Sequence, residues 1–120
     1  LHTNSATKTI DRIVDTFPAD EQNQARIMLA ETLRGIVSQL LCKRKDGGRI
    51  AVHEILLKHG SLPNCIRNNA LASIRNIIDQ NRSSGMISLD VSLQKLLDQD
   101  IITQEEAYMK AIDKAQFKPS

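Results

Sequence analysis

An α+β chain, mostly helical and built around one β-hairpin, is what this sequence predicts, and three observations predict it. Two β-rich runs, Ile36 to Lys43 and Arg49 to Leu57, flank Lys45-Asp46-Gly47-Gly48, where Asp-Gly and Gly-Gly supply the positive φ of a tight hairpin turn. Elsewhere the apolar residues recur at helical spacing. Capping residues and Pro or Gly breaks then divide the chain into helix, helix, hairpin and four further helices.

The first helix is predicted over Ser5 to Thr16, where Ile10, Ile13, Val14 and then Phe17 share one face, Asn4 or Ser5 serves as N-cap and Pro18 ends it. Asp20 is expected to cap the second, with Glu21 suited to the dipole, a stripe of Ala25, Met28, Leu29 and Leu33, and Gly35 at its end. Beyond the hairpin and Gly60, a short helix is expected near Pro63 to Asn68, followed by Leu71, Ile74, Ile77 and Ile78 at helical spacing up to a break at Asn81 to Gly85. Two more helices follow: Leu89 to Leu97, and one opened by Thr103, with Glu106 completing a capping box.

Composition argues against several classes of function. Charged residues of both signs are interspersed and the net charge is +2, so no strong field points at nucleic acid or an anionic membrane. The aromatics are Tyr108, Phe17 and Phe117, too few for a base-stacking platform, which leaves Ile, Leu, Val and Ala to form the core. No apolar run approaches the roughly 20 residues that span a bilayer, and no secretory leader opens the chain, so the protein reads as cytosolic. Cys42 and Cys65 lack CxxC spacing and read as two reduced, mostly buried thiols.

Leu1-His2-Thr3-Asn4-Ser5 reads as the end of a buried strand turning into a helix, which places a larger sheet upstream, since a two-stranded hairpin alone is a poor sheet. Nothing in the chain has the form GxxxxGKS/T, and no second glycine-rich loop precedes a helix, so phosphates have no cradle and the chain alone is not expected to hydrolyse ATP.

Residues 1 to 18, Leu1-His2-Thr3-Asn4-Ser5 through Phe17-Pro18, resemble the stretch that follows the Walker B strand in type IV pilus retraction ATPases, where it forms the end of the family's His box. The similarity continues through Met28 to Arg34, Ser38 to Leu41, Lys45-Asp46-Gly47, Gly48 to Ile55, and Ser84-Gly85-Met86 with Leu89-Asp90. The family's retraction motif, Ala-Ile-Arg-Asn-Leu-Ile-Arg-Glu, aligns with Ser61 to Asn68, where Asn64, Ile66 and Arg67 match and Pro63 stands in place of the first arginine. Secretion and pilus-assembly relatives carry a four-cysteine zinc loop in the hairpin region; here the turn is tight and Cys42 alone cannot make a tetrahedral site, so no metal is expected.

The resemblance implies the C-terminal part of a RecA-like P-loop ATPase domain, divided into the end of the ATPase core over residues 1–58 and a C-terminal helical subdomain over 59–120. It implies a homohexameric motor that uses ATP and Mg in the full-length protein, powers twitching motility, and works on a pilus platform protein at the cytoplasmic face of the inner membrane. On the same ground His2 is the candidate for ATP chemistry, with capping or core-edge packing as its plainer role, and Thr3 lies in the nucleotide's vicinity. Arg34 and Arg49, grouped with Lys43, Arg44 and Lys45 around the hairpin, are candidates to reach a neighbouring subunit, and the ordinary alternative is a solvated face. Leu62, Asn64, Ile66 and Arg67 are candidate contacts to the pilus machinery, with packing as the alternative. His53 and Glu54, adjacent on a strand, point to opposite faces and share no proton path, so both read as structural or interfacial. Two other readings are a pilus-assembly or secretion ATPase and, from a different class, a winged-helix-like DNA-binding module with the hairpin as wing.

Overall fold

The hairpin is the longest feature of the molecule and both hydrophobic cores are built on it. In the structure, a computed structural model that describes residues 5–118, β1 (Gly35–Lys43) and β2 (Arg49–Leu57) pair antiparallel with Gly35 opposite Leu57 and Lys43 opposite Arg49. Gly47 and Gly48 hold φ of 99° and 77° in the connection, the left-handed backbone that L side chains resist. Gly35 serves a different need: a Cβ there would lie 2.9 Å from the Leu56 carbonyl oxygen, so the strand pair can close only on a glycine. Rather than ending the helix before it, Gly35 opens the strand.

Helix α1 (Ala6–Asp15) is capped by Ser5, whose Oγ accepts the Lys8 N–H at 3.2 Å. Of the expected face, Ile10 and Val14 are buried while Phe17 is 36% exposed. Asp20 does not cap α2 (Gln22–Thr32): a single 3-10 turn, Ala19–Glu21, occupies that place and no side chain caps the helix. Nor does Met28 belong to the buried stripe, since it is 53% exposed. The stripe runs through Ala25, Leu29 and Leu33 and turns toward Ala30, and Met28 falls on the other side of it at 100° per residue.

After the hairpin come α3 (Leu62–Arg67), α4 (Leu71–Gln80), α5 (Leu89–Asp98) and α6 (Gln104–Lys110), with 3-10 turns at Arg82–Ser84 and Lys114–Phe117. Pro63 sits in the first turn of α3, where its missing N–H costs nothing. The expected capping box of α6 is half formed: Thr103 Oγ1 accepts the Glu106 N–H at 3.1 Å, but the Glu106 carboxylate turns away to accept the Lys43 N–H at 2.6 Å.

The apolar residues gather in two cores. One joins Ala6 and Ile10 of α1, Ala30, Leu56, Leu62 and Ile66 of α3, and Ile74, Ile77 and Ile78 of α4. The other joins Cys42 and Val52 of the hairpin, Leu89 and Leu93 of α5, Ile102, Ala107, Ala111 and Phe117. Both draw on the inward face of β2, Val52 serving the second and Leu56 the first, and the molecule measures 48 × 30 × 25 Å.

Candidate functional site

Between Val52 and Leu56 on that inward face sits Glu54, 3% exposed, a carboxylate where alternation calls for an apolar side chain. Its Oε1 accepts the Ala6 N–H at 2.6 Å and its Oε2 the Leu89 N–H at 3.0 Å. Ala6 and Leu89 are the first residues of α1 and α5, whose leading N–H groups have no partner inside the helix. The positive ends of two helix dipoles therefore meet the buried charge. Opposite Glu54 in the ladder lies Ser38, whose buried hydroxyl has no hydrogen-bond partner among the described residues.

Two further buried carboxylates also accept backbone N–H groups, in their case away from α-helix starts. Asp90 accepts the N–H groups of Ile112 and Asp113 at 2.8 and 2.9 Å, with the Arg75 guanidinium 3.9 Å away, and Glu106 holds Lys43 as described above. Glu54, Arg75 and Asp90 line an open groove of about 650 Å³ that also receives Asp79, Arg82 and Ser88. Cys42, fully buried beside Glu106, has its thiol pushed up to about 11, first by burial and second by the Glu106 charge, with Lys110 opposing.

His2 and Thr3 lie outside the described residues, as does the strand end expected at the start of the chain. The cations expected around the hairpin divide. Lys43, Arg44, Lys45 and Arg49 gather at its tip, while Arg34 adjoins Gly35 at the opposite end, about 27 Å away along a nine-residue strand. Arg44 bonds Asp46 at 3.0 Å, which holds the Asp46 carboxyl below its ordinary range, and Lys45 bonds Asp100. Arg34 and Arg49 are both exposed, and the structure brings no carboxylate of the described residues to either as an ion pair.

On α3 the expected surface also separates. Leu62 and Ile66 are 2% and 1% exposed, packed into the first core, so neither is presented outward here. Asn64 and Arg67 are exposed and bonded to each other, Arg67 Nη2 donating to Asn64 Oδ1 at 2.6 Å. His53 turns away from Glu54 to meet Gln39 across the ladder, Nε2 to Oε1 at 3.2 Å.

The glycine-rich turn at Gly47-Gly48 leads into a strand rather than a helix, so it has no helix N-terminus with which to hold a phosphate. No group of His, Cys, Asp and Glu among them has the arrangement of a metal site, and no described helix is long and apolar enough to cross a membrane.

No family model matches the chain. It is 46% identical over 112 residues to a "twitching motility protein" of Neisseria gonorrhoeae, covering 92% of this chain and 30% of that one. It is 44% identical over 111 residues to the type IV pilus retraction ATPase PilT of Pseudomonas aeruginosa, covering 92% of this chain and 32% of the relative. Among solved structures, the pilus retraction motor PilT with bound ADP superposes with a TM-score of 0.82 at 37% identity, over 97% of this chain and 32% of the other.

The fold is therefore that of the C-terminal part of a PilT-type ATPase, α+β with a single hairpin among the described residues. Within that class the chain is PilT-like, a match to the pilus retraction ATPases, and it spans about a third of the length of the relatives it matches.

Proposed function

We propose that the chain is the C-terminal portion of a hexameric ATPase motor that retracts type IV pili. The observation that carries this reading is 44–46% identity to two pilus motility proteins over 92% of the chain, on a fold of which 97% superposes on a third of PilT. ATP and Mg belong to the whole motor, and the described residues supply no cradle for them. In this reading His2 is the candidate for ATP chemistry, with Thr3 in the nucleotide's vicinity. Arg34 and Arg49, free of ion pairs within the described residues, are available to a neighbouring subunit in the ring. Asn64 and Arg67 form the outward part of α3 that meets an inner-membrane platform protein from the cytoplasmic side.

The test is a hybrid motor in which this chain replaces the matching third of a PilT relative, expressed in a retraction-deficient strain. Restored twitching is the expected result. A hybrid that assembles and hydrolyses ATP yet leaves the pili extended defeats retraction and favours assembly or secretion, and one that assembles without hydrolysing ATP defeats the motor reading.

A further inference from the structure

Glu54 has no cationic partner among the hydrogen bonds and ion pairs of the described residues, and both its carboxylate oxygens are spent on helix N-termini from different cores. Each of those helices already has a serine at its cap: Ser5 Oγ takes the Lys8 N–H and Ser88 Oγ the Val91 N–H, both at 3.2 Å. The serines satisfy the third turn position and Glu54 the first, so the same two-part cap is built twice on one shared carboxylate. Beyond α5's first residue the path continues, because Asp90, next to Leu89, holds Ile112 and Asp113.

We propose that Glu54 is a positioning residue that ties the start of α1 to the start of α5, so that the two cores shift together. The consequence for catalysis rests on the motor reading above. A carboxylate suits this task because it presents two acceptors and no donor. Glutamine keeps the shape but must turn its NH₂ toward one of the two N–H groups, which breaks one end of the tie whichever way it is placed.

The experiment has two arms. In the 120-residue chain, amide hydrogen exchange is followed at Ala6 and Leu89 after Glu54→Gln and, separately, after Ser88→Ala, a mild change at the surface of α5 alone. Ser88→Ala is expected to speed exchange about fivefold at Val91, the amide that loses its cap, and, as the start of α5 loosens, by a comparable factor at Leu89 and at Ala6, on the other helix. Glu54→Gln raises both tenfold or more while the hairpin amides hold. A response of Ser88→Ala confined to α5 overturns the tie, and it does so even where Glu54→Gln fails to fold. In the hybrid motor, Glu54→Gln is expected to lower kcat tenfold or more with KM within twofold; a folded variant with kcat unchanged overturns the positioning role. A parent hybrid without ATPase activity defeats the motor reading only, and the exchange arm still decides the tie.

Discussion

Replacing Phe117 with alanine tests whether the end of the chain belongs to its own core. The residue closes a four-residue 3-10 turn, Lys114–Phe117, too short to hold its shape unaided, yet its ring is 0% exposed among Leu89, Leu93, Ile102, Ala107 and Ala111. Its carbonyl also accepts the Gln104 side-chain amide at 3.0 Å. Truncating a fully buried phenylalanine costs about 3–5 kcal/mol once the cavity is counted, against a total of roughly 5–15 kcal/mol for a domain of this size. With a urea slope of about 2 kcal/mol/M, the unfolding midpoint is expected to fall by about 2 M. Urea titrations of the 120-residue chain followed by circular dichroism, at two protein concentrations tenfold apart, measure it. A loss below about 1 kcal/mol would refute the placement, and a midpoint that moves with concentration would mean that Phe117 seats on a second copy.

Two other perturbations have signs fixed by the geometry. Burial, and after it the Glu106 charge, push the Cys42 thiol from its ordinary 9.0 up to about 11, so the proton it keeps stabilises the fold. That contribution is whole below pH 9 and drains away as pH rises from 9 to 11; wild type compared with Cys42→Ser by thermal melts across that range measures it, and parallel curves would contradict it. At neutral pH Cys42 should resist a maleimide for hours in the folded chain while the half-buried Cys65 is labelled. Gly35→Ala brings a methyl within 2.9 Å of the Leu56 carbonyl oxygen and is expected to cost about 1–3 kcal/mol, read as a drop in melting temperature; an unchanged melt would show that the strand pair yields freely at its base.

What the sequence reveals of this fold is what local chemistry encodes. The hairpin was readable because Gly47 and Gly48 serve a backbone that few other residues tolerate, and Thr103 because a cap acts on an N–H three residues away. The buried carboxylates were beyond such reasoning: Glu54, Asp90 and Glu106 reach N–H groups 22 to 63 positions away, and no spacing rule carries that. Glu106 is instructive, since its place in a capping box predicts one partner and the hairpin tip supplies a better placed one. The available signal for Glu54 was its register, an acid on the inward face between Val52 and Leu56. For the candidate contacts of α3, helical periodicity already sets Leu62 and Ile66 on one face, four apart, with Asn64 and Arg67 off it.

The placement of Glu54 also explains why so costly a group sits in the middle of the sheet. Burying a carboxylate costs several kcal/mol even after relaxation, and an apolar residue there would remove that cost at once. It would also strand the Ala6 and Leu89 N–H groups, each a buried donor worth about 1–3 kcal/mol when left unmet. Replacing one partner of an ion pair can be repaired by replacing the other, but a backbone N–H cannot be mutated away short of proline, and Leu89 is itself fully buried in the second core. The glutamate is thus held in place by the two helices that it holds. Either core, rebuilt without it, would keep its apolar contacts and lose its fixed orientation to the other.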